Sequence, residues 1–169
     1  MDLSAISPTL LVASLMVAAT PILLAAIGEL VVEKSGVLNL GVEGMMITGA
    51  ISGFAAAVLT GSPMIGFLCA ALGGAALSVI FAIITQYFLS NQVATGLALT
   101  LFGLGLSAML GQSYVGIKPP ASVKLDLPLV SDIPVIGPIL FSHDFTVYAA
   151  LTLVTGVWWF LKYTRGGLI

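Results

Sequence analysis

The chain has 169 residues, of which 59% are hydrophobic and only 7% are charged, and its mean hydropathy is +1.18. An ordinary soluble domain is about 25% charged, and a water-soluble fold of this size could not hide so much apolar surface, so the composition indicates an all-α, polytopic transmembrane helical bundle. A net charge of −2 offers no basic face, so we expect no nucleic-acid partner.

Five apolar runs are candidates for spans, because a helix that crosses the bilayer needs roughly 20 mostly apolar residues. They cover residues 7–27, 45–59, 64–88, 93–111 and 145–161. The first run contains Pro21, which favours a kink, and no basic residue precedes it, so we expect a retained span rather than a signal peptide. The second run is too short to span the bilayer alone, so residues before it must belong to the same helix. Residues 1–169 are therefore interpreted as one transmembrane domain of about five spans.

A polar segment, residues 28–44 (GELVVEKSGVLNLGVEG), separates the first two runs and holds four of the chain's twelve charged residues, counting five basic and seven acidic. Polar groups at membrane depth are costly and are often tied to function. Ser35-Gly36 and Gly41 can interrupt a helix, so the fold prediction includes a broken or re-entrant segment after the first span. A cytoplasmic turn between two spans is the open alternative.

This interruption suggests a route for a solute, because discontinuous helices present backbone N–H and C=O groups to cargo in many transporters. Asn39 and Glu43 place an amide and a carboxylate near the break. A purely structural hydrogen-bonding role for these two residues is equally open. The other three charged residues are more simply a solvated turn: Glu29, Glu33 and Lys34. The predicted pathway residues of this segment are Asn39, Gly41, Glu43 and Gly44.

A second polar cluster joins the third and fourth spans and comprises Gln86, Ser90, Asn91, Gln92 and Thr95. Its simplest interpretation is a short turn, and the alternative is that it lines the same route. We include three of its members in the predicted pathway: Asn91, Gln92 and Thr95.

Small residues recur every fourth position in three of the spans, which predicts closely packed helix faces. The second span carries Gly49, Gly53, Ala57 and Gly61. The third carries Gly66, Ala70, Gly74, Ser78 and Ala82, and the fourth Gly103, Ser107 and Gly111.

Residues 112–144 form a loop that contains five of the eight prolines. Its stretch 133–141 (IPVIGPILF) is apolar enough to dip into the membrane, or it packs over the bundle as part of an external loop. With five spans, three basic residues share one side, Lys34, Lys162 and Arg165, and two lie on the other, Lys118 and Lys124. Positive residues prefer the cytoplasm, so we predict a cytoplasmic C-terminus and an external N-terminus.

No residue pattern supports an enzyme. The single histidine, His143, and its neighbour Asp144 lack further metal ligands and are interpreted as solvated loop residues. The chain has no phosphate-binding GxxxxGK[ST] motif. We expect no catalytic residues, no metal and no cofactor.

Three sequence blocks resemble one protein family. The block GELVVEKSGVLNLGVEGMMITGA, from Gly28, resembles the signature region of permease subunits of bacterial ABC importers, in the branch that includes ribose-type and branched-chain amino acid permeases. Within that branch it is most similar to nucleoside and simple-sugar permeases paired with basic-membrane-protein-type binding lipoproteins. The blocks NQVATGLALTLFGLGLSAMLG and IPVIGPILF, the latter followed by a span and YTRGGL, resemble the next two in order.

The resemblance implies a multi-pass protein of the bacterial plasma (inner) membrane. Its partners would be a second permease subunit, in a homodimer or heterodimer, two ATP-binding subunits that hydrolyse ATP, and an extracytoplasmic substrate-binding protein that meets the loop 112–144. Family members continue past TRxGL into a cytoplasmic helix that docks on the ATPase, so the chain to Ile169 corresponds to the N-terminal half.

Two alternatives to an ATP-driven importer of nucleosides or simple sugars stay open. One is an ion-coupled secondary carrier, in which Glu43 would titrate. The other is an inactive, truncated permease remnant, in which the polar segment only closes a turn.

Overall fold

The computed structural model describes residues 8–121 and 143–167, and every long element in those ranges is an α-helix. The helices are α1 Pro8–Lys34, α2 Val42–Thr60, α3 Pro63–Ala82, α4 Gln92–Gly111 and α5 Phe145–Tyr163. A π-helical turn, Ile83–Tyr87, extends α3, and 3-10 turns extend α4 (Gln112–Tyr114) and follow α5 (Arg165–Gly167). Within the described ranges, five helices are long and apolar enough to cross a membrane. The predicted all-α bundle of about five spans is confirmed.

The chain divides into two compact units. One comprises residues 32–121 and contains α2, α3, α4 and the connection that precedes α2. The other comprises residues 1–31 and 122–169 and contains most of α1 and all of α5. The polar segment 28–44 lies mainly in the unit of residues 32–121, and the second polar cluster, between α3 and α4, lies entirely in it.

Helix α1 runs without interruption through Pro21 to Lys34. The interpretation of Glu29, Glu33 and Lys34 as a turn is therefore wrong: all three are helical. Glutamate, lysine and leucine are good helix formers, and the helix ends only at Ser35-Gly36. There the Gly36 N–H bonds to the Glu33 carbonyl (2.9 Å) and the Val37 N–H to the Val32 carbonyl (3.3 Å), while Gly36 has a φ of 82°. This is a Schellman motif, which favours glycine at that position.

Helices α2 and α3 form an antiparallel pair that is joined at small residues. A Cβ atom added to Gly53 would lie 2.8 Å from the Gly66 carbonyl oxygen, and one added to Gly66 would lie 2.7 Å from the Ala57 Cβ. A Cβ atom on Gly49 would lie 2.8 Å from the Ala70 carbonyl oxygen. The predicted packing faces of these helices are confirmed at those positions. Gly61 instead caps α2 with a φ of 68°.

The turn between α3 and α4 departs from regular helix. The Phe88 N–H bonds to the Ile83 carbonyl (3.2 Å), five residues back, and Leu89 has a φ of 53°. A bulky residue with positive φ is uncommon. The Asn91 side chain then caps α4 by accepting the Ala94 N–H (3.0 Å). A short turn joins the two spans as predicted, and Ser90 and Asn91 lie in it, whereas Gln86 belongs to the π-helical turn and Gln92 and Thr95 belong to α4.

The described parts of the loop 112–144 lie at its two ends. At the first end, Tyr114 makes an edge-to-face contact with Phe54 of α2, at 5.9 Å between ring centroids. At the second end, His143 is buried, with 3% exposure, so its interpretation as a solvated residue is wrong. Val147 and Ala150, four and seven residues further along, are buried as well, so the buried stripe of α5 begins before the helix itself. The stretch 133–141 lies outside the described residues.

Candidate functional site

The connection between α1 and α2 contains a non-helical stretch, residues 37–41, here called the extended segment, that runs alongside α4 and ends in a turn at Leu40-Gly41. The Leu38 N–H donates to Gln92 Oε1 (2.8 Å), and Thr100 Oγ1 donates to the Leu40 carbonyl (3.1 Å). Gln92 and Thr100 are eight residues apart on α4, which corresponds to about 12 Å along its axis. The extended segment therefore follows α4 for about two turns before α2 begins.

Burial alternates from residue to residue along this segment. Asn39 and Gly41 are buried, whereas Leu38 and Leu40 are exposed. Val37, at the start of the segment, packs against the core cluster of Leu77, Phe81 and Leu99, and Met45 of α2 packs against the same cluster. The core thus fixes the backbone on both sides of the interruption.

Asn39 folds the extended segment into α2. Its side chain is buried, with 6% exposure, and Oδ1 accepts the Gly41 N–H (2.9 Å). Nδ2 lies 3.5 Å from Met45 Sδ and donates to it. An asparagine that bonds the backbone two residues on is a common turn former. The structure therefore gives Asn39 a positioning role inside the unit of residues 32–121.

Four glycines let the start of α2 touch α4 directly. A Cβ atom added to Gly96 would lie 2.8 Å from the Gly41 nitrogen, and one added to Gly44 would lie 2.7 Å from the Thr100 Cα. A Cβ atom on Gly103 would lie 2.5 Å from the Gly44 carbonyl oxygen. Any side chain at these positions would push the two backbones apart. Such close contacts supply the van der Waals attraction that holds helices together in lipid.

Gly96 and Thr100 were absent from the predicted site. Their signal in the sequence is the spacing of small residues at 96, 100 and 103, which places all three on one face of α4. The prediction emphasised a four-residue ribbon instead, Gly103, Ser107 and Gly111. Of those three, Gly103 makes the close backbone contact, whereas a Cβ atom on Gly111 would meet only the tip of Ile51, at 3.8 Å.

Glu43 is exposed, unlike Gly41 and Gly44 on either side of it. It occupies the first turn of α2, where the helix dipole favours a negative charge. Because Gly44 contacts α4 at Thr100, Glu43 lies at about the same level, roughly 12 Å from the start of α4. Since α4 is one of the five candidate spans, a carboxylate at this level along it needs water or a polar partner rather than hydrocarbon beside it.

The three predicted residues of the second cluster differ in their surroundings. Asn91 is exposed and caps α4, whereas Gln92 is half-buried and holds the extended segment through Leu38. Thr95 is buried, and its hydroxyl lies 3.4 Å from Ser90 Oγ. The structure thus brings Gln92 and Thr95 to the same end of α4 as Asn39 and Gly41.

Thr48, one turn after Gly44, carries an unusual hydroxyl. Its Oγ1 is buried and has no hydrogen-bond partner among the described residues. Thr20 and Thr85 each donate to the carbonyl four residues earlier, at 2.8 Å. For Thr48 the corresponding acceptor is the Gly44 carbonyl, which lies against Gly103.

Residues 8–121 and 143–167 contain no group of three or more His, Cys, Asp or Glu side chains arranged to hold a metal ion. The chemistry available at the site is therefore that of one carboxylate, amides, hydroxyls and backbone groups, which suits hydrogen bonding to a solute.

Comparison with known families identifies the chain. The family model described as the permease component of the branched-chain amino acid transport system matches residues 11–169. The chain belongs to this permease family. It is a multi-pass membrane protein. No solved structure matches it.

Three curated proteins, each named an ABC transporter permease, are similar to this chain over 89%, 95% and 94% of its length. A protein of Haloferax volcanii, provisionally named a glucose ABC transporter permease, is 40% identical over 155 residues, covering 89% of this chain and 47% of the relative. A guanosine ABC transporter permease of Bacillus subtilis is 32% identical, covering 95% and 54%. A nucleoside ABC transporter permease of Lactococcus lactis is 29% identical, covering 94% and 54%. The chain spans about half the length of the curated relatives it matches.

Proposed function

We propose that this permease chain forms part of the translocation pathway of an ATP-driven importer for nucleosides or simple sugars. Family membership and the names of the relatives, which refer to glucose, guanosine and nucleosides, support this proposal. The structural observation that carries it is the exposed Glu43, held two turns along α4 beside an extended backbone segment. Irregular backbone at such depth persists only when it is buried in protein or borders a wet cavity.

In this proposal Glu43 contacts the solute and the other predicted pathway residues shape the wall. A carboxylate only accepts hydrogen bonds, and the hydroxyl groups of sugars and nucleosides donate them. Asn39 and Gln92 position the extended segment. Gly41 and Gly44 keep that segment in contact with α4. Thr95 and Asn91 lie at the same end of α4, where Thr95 is buried beside Ser90 and Asn91 caps the helix.

The energy would come from partners. Two ATP-binding subunits on the cytoplasmic side would drive the cycle, a second permease subunit would complete the pathway, and an external binding protein would deliver the solute near residues 112–144. The names of the relatives as ABC transporter permeases support this assembly.

Uptake of labelled solute tests the role of Glu43. The transporter that contains this chain is reconstituted with its ATP-binding subunits, and Glu43→Gln is compared with Glu33→Gln, a matched change of an exposed glutamate at the end of α1. We expect Glu43→Gln to lower the uptake rate at least tenfold, because the solute loses one charge-assisted hydrogen bond. Glu33→Gln should leave the uptake rate unchanged. Equal uptake by both variants would remove Glu43 from the pathway.

Inhibitors separate the energy sources in the same assay. An ATP-driven importer loses uptake with vanadate and keeps it with an uncoupler. Uptake that survives vanadate and collapses with an uncoupler would identify an ion-coupled carrier instead and contradict the proposal.

A further inference from the structure

The end of α5 carries a cluster of exposed aromatic rings around a lysine. Trp158, Trp159 and Tyr163 are 53%, 57% and 60% exposed. Lys162 Nζ lies 5.2 Å from the centroid of the Trp158 ring and 5.5 Å from that of the Tyr163 ring. The two rings also contact each other edge to face, at 5.7 Å between centroids. The lysine ammonium is therefore held beside two ring faces at the surface.

A second cation follows directly. After α5 the chain turns tightly: the Thr164 N–H and hydroxyl both bond to the Phe160 carbonyl, at 3.2 and 2.6 Å, and the Gly167 N–H bonds to the Thr164 carbonyl at 3.1 Å. This turn keeps the exposed Arg165 at the same end of the helix as Lys162. Ring faces attract a cation but do not neutralise it, so this end of α5 carries two positive charges that aromatic contacts leave uncompensated.

The position of the cluster along α5 matters. Helix α5 is one of the five candidate spans, and the cluster occupies its last two turns. Tryptophan and tyrosine concentrate where a span meets the membrane–water interface, and lysine and arginine concentrate on the cytoplasmic side. Anionic lipid headgroups occupy that interface and attract juxtamembrane cations.

We propose that this cluster binds the headgroup of an anionic phospholipid. The lipid phosphate contacts Lys162 and Arg165, and the glycerol region and upper acyl chains lie over Trp158 and Tyr163. This inference is independent of the solute that the permease carries, because it depends only on the end of α5.

The chain's two tryptophans, Trp158 and Trp159, both lie in this cluster, so intrinsic fluorescence reports on it directly. The chain is reconstituted in vesicles that contain a small fraction of brominated phosphatidylglycerol or brominated phosphatidylcholine. We expect brominated phosphatidylglycerol to quench the tryptophan fluorescence with an association constant that, relative to that of brominated phosphatidylcholine, is about fivefold higher for each cation that takes part. This preference should weaken as salt is added.

The double variant Lys162→Gln/Arg165→Gln should lose that preference while phosphatidylcholine still quenches as in the parent, which shows that the helix end is intact. Lys118→Gln, at an exposed position in another loop, should retain it. Equal quenching of the parent by both lipids, or a preference that persists in the double variant, would overturn the proposal. A double variant that keeps the lipid preference but no longer binds an ATP-binding subunit would show a protein-docking surface instead.

Discussion

At the scale of single residues, the site depends on which polar groups have partners inside the chain. Asn39 bonds to Gly41 and Met45, and Gln92 bonds to Leu38, so both serve the backbone of the extended segment. Glu43, in contrast, is exposed. The sequence placed Asn39 and Glu43 together as candidate pathway residues, but it could not distinguish them, because the burial of Asn39 and the exposure of Glu43 depend on how the chain packs and not on the polarity of the two side chains.

Thr48 allows a test of the interior of the three-helix unit. Because its buried hydroxyl has no partner among the described residues, Thr48→Val should leave the free energy of unfolding unchanged or raise it by about 1 kcal/mol. Thr85→Val is the matched control, since Thr85 is equally buried but donates to the Phe81 carbonyl; it should cost about 1 kcal/mol. Thermal unfolding of the purified chain in detergent measures both. A Thr48→Val variant as unstable as Thr85→Val would show that the Thr48 hydroxyl has a partner.

At the scale of elements, two contacts of α2 have the same physical basis. Gly49 and Gly53 contact α3, and Gly44 contacts α4, each through backbone atoms. The contact with α3 could be predicted from the four-residue spacing, because neighbouring antiparallel helices both show it. The contact with α4 was not predicted, because Gly41 and Gly96 are far apart in the chain and the small residues at 96, 100 and 103 do not keep a strict four-residue spacing.

Glycine-to-alanine changes along α4 test that contact. Gly96→Ala should lower the free energy of unfolding by about 1–3 kcal/mol, because the new methyl group would meet the backbone of Leu40 and Gly41. Gly105→Ala is the control in the same helix: nothing lies within 4 Å of its added Cβ, so stability should be unchanged or slightly higher. Both are measured by thermal unfolding in detergent. Equal stability of the two variants would mean that the extended segment and α4 are further apart than the structure shows.

At the scale of the whole molecule, the sequence predicted the number of spans well and their ends less well. Apolar length determines whether a helix can cross the bilayer, so all five candidate spans were found. Charge was a poor guide to where α1 ends, because Glu33 and Lys34 are compatible with helix and only Gly36 stops it. The burial of His143 was also missed, since a lone histidine in a proline-rich loop carries no periodic signal.

The central claim is that the start of α2 borders a route for solute at membrane depth, and cysteine labelling tests it most directly. With Cys69 replaced by serine, single cysteines are introduced at Glu43, at Ile47 one turn further along α2, and at Glu33 as a control at the end of α1. We predict that a membrane-impermeant thiol reagent labels positions 43 and 47 slowly, at rates that change with vanadate, and that solute protects position 47 while Glu43 is intact. Position 33 should label rapidly in every state. Labelling of positions 43 and 47 from the cytoplasm as fast as position 33, without protection by solute, would contradict the account.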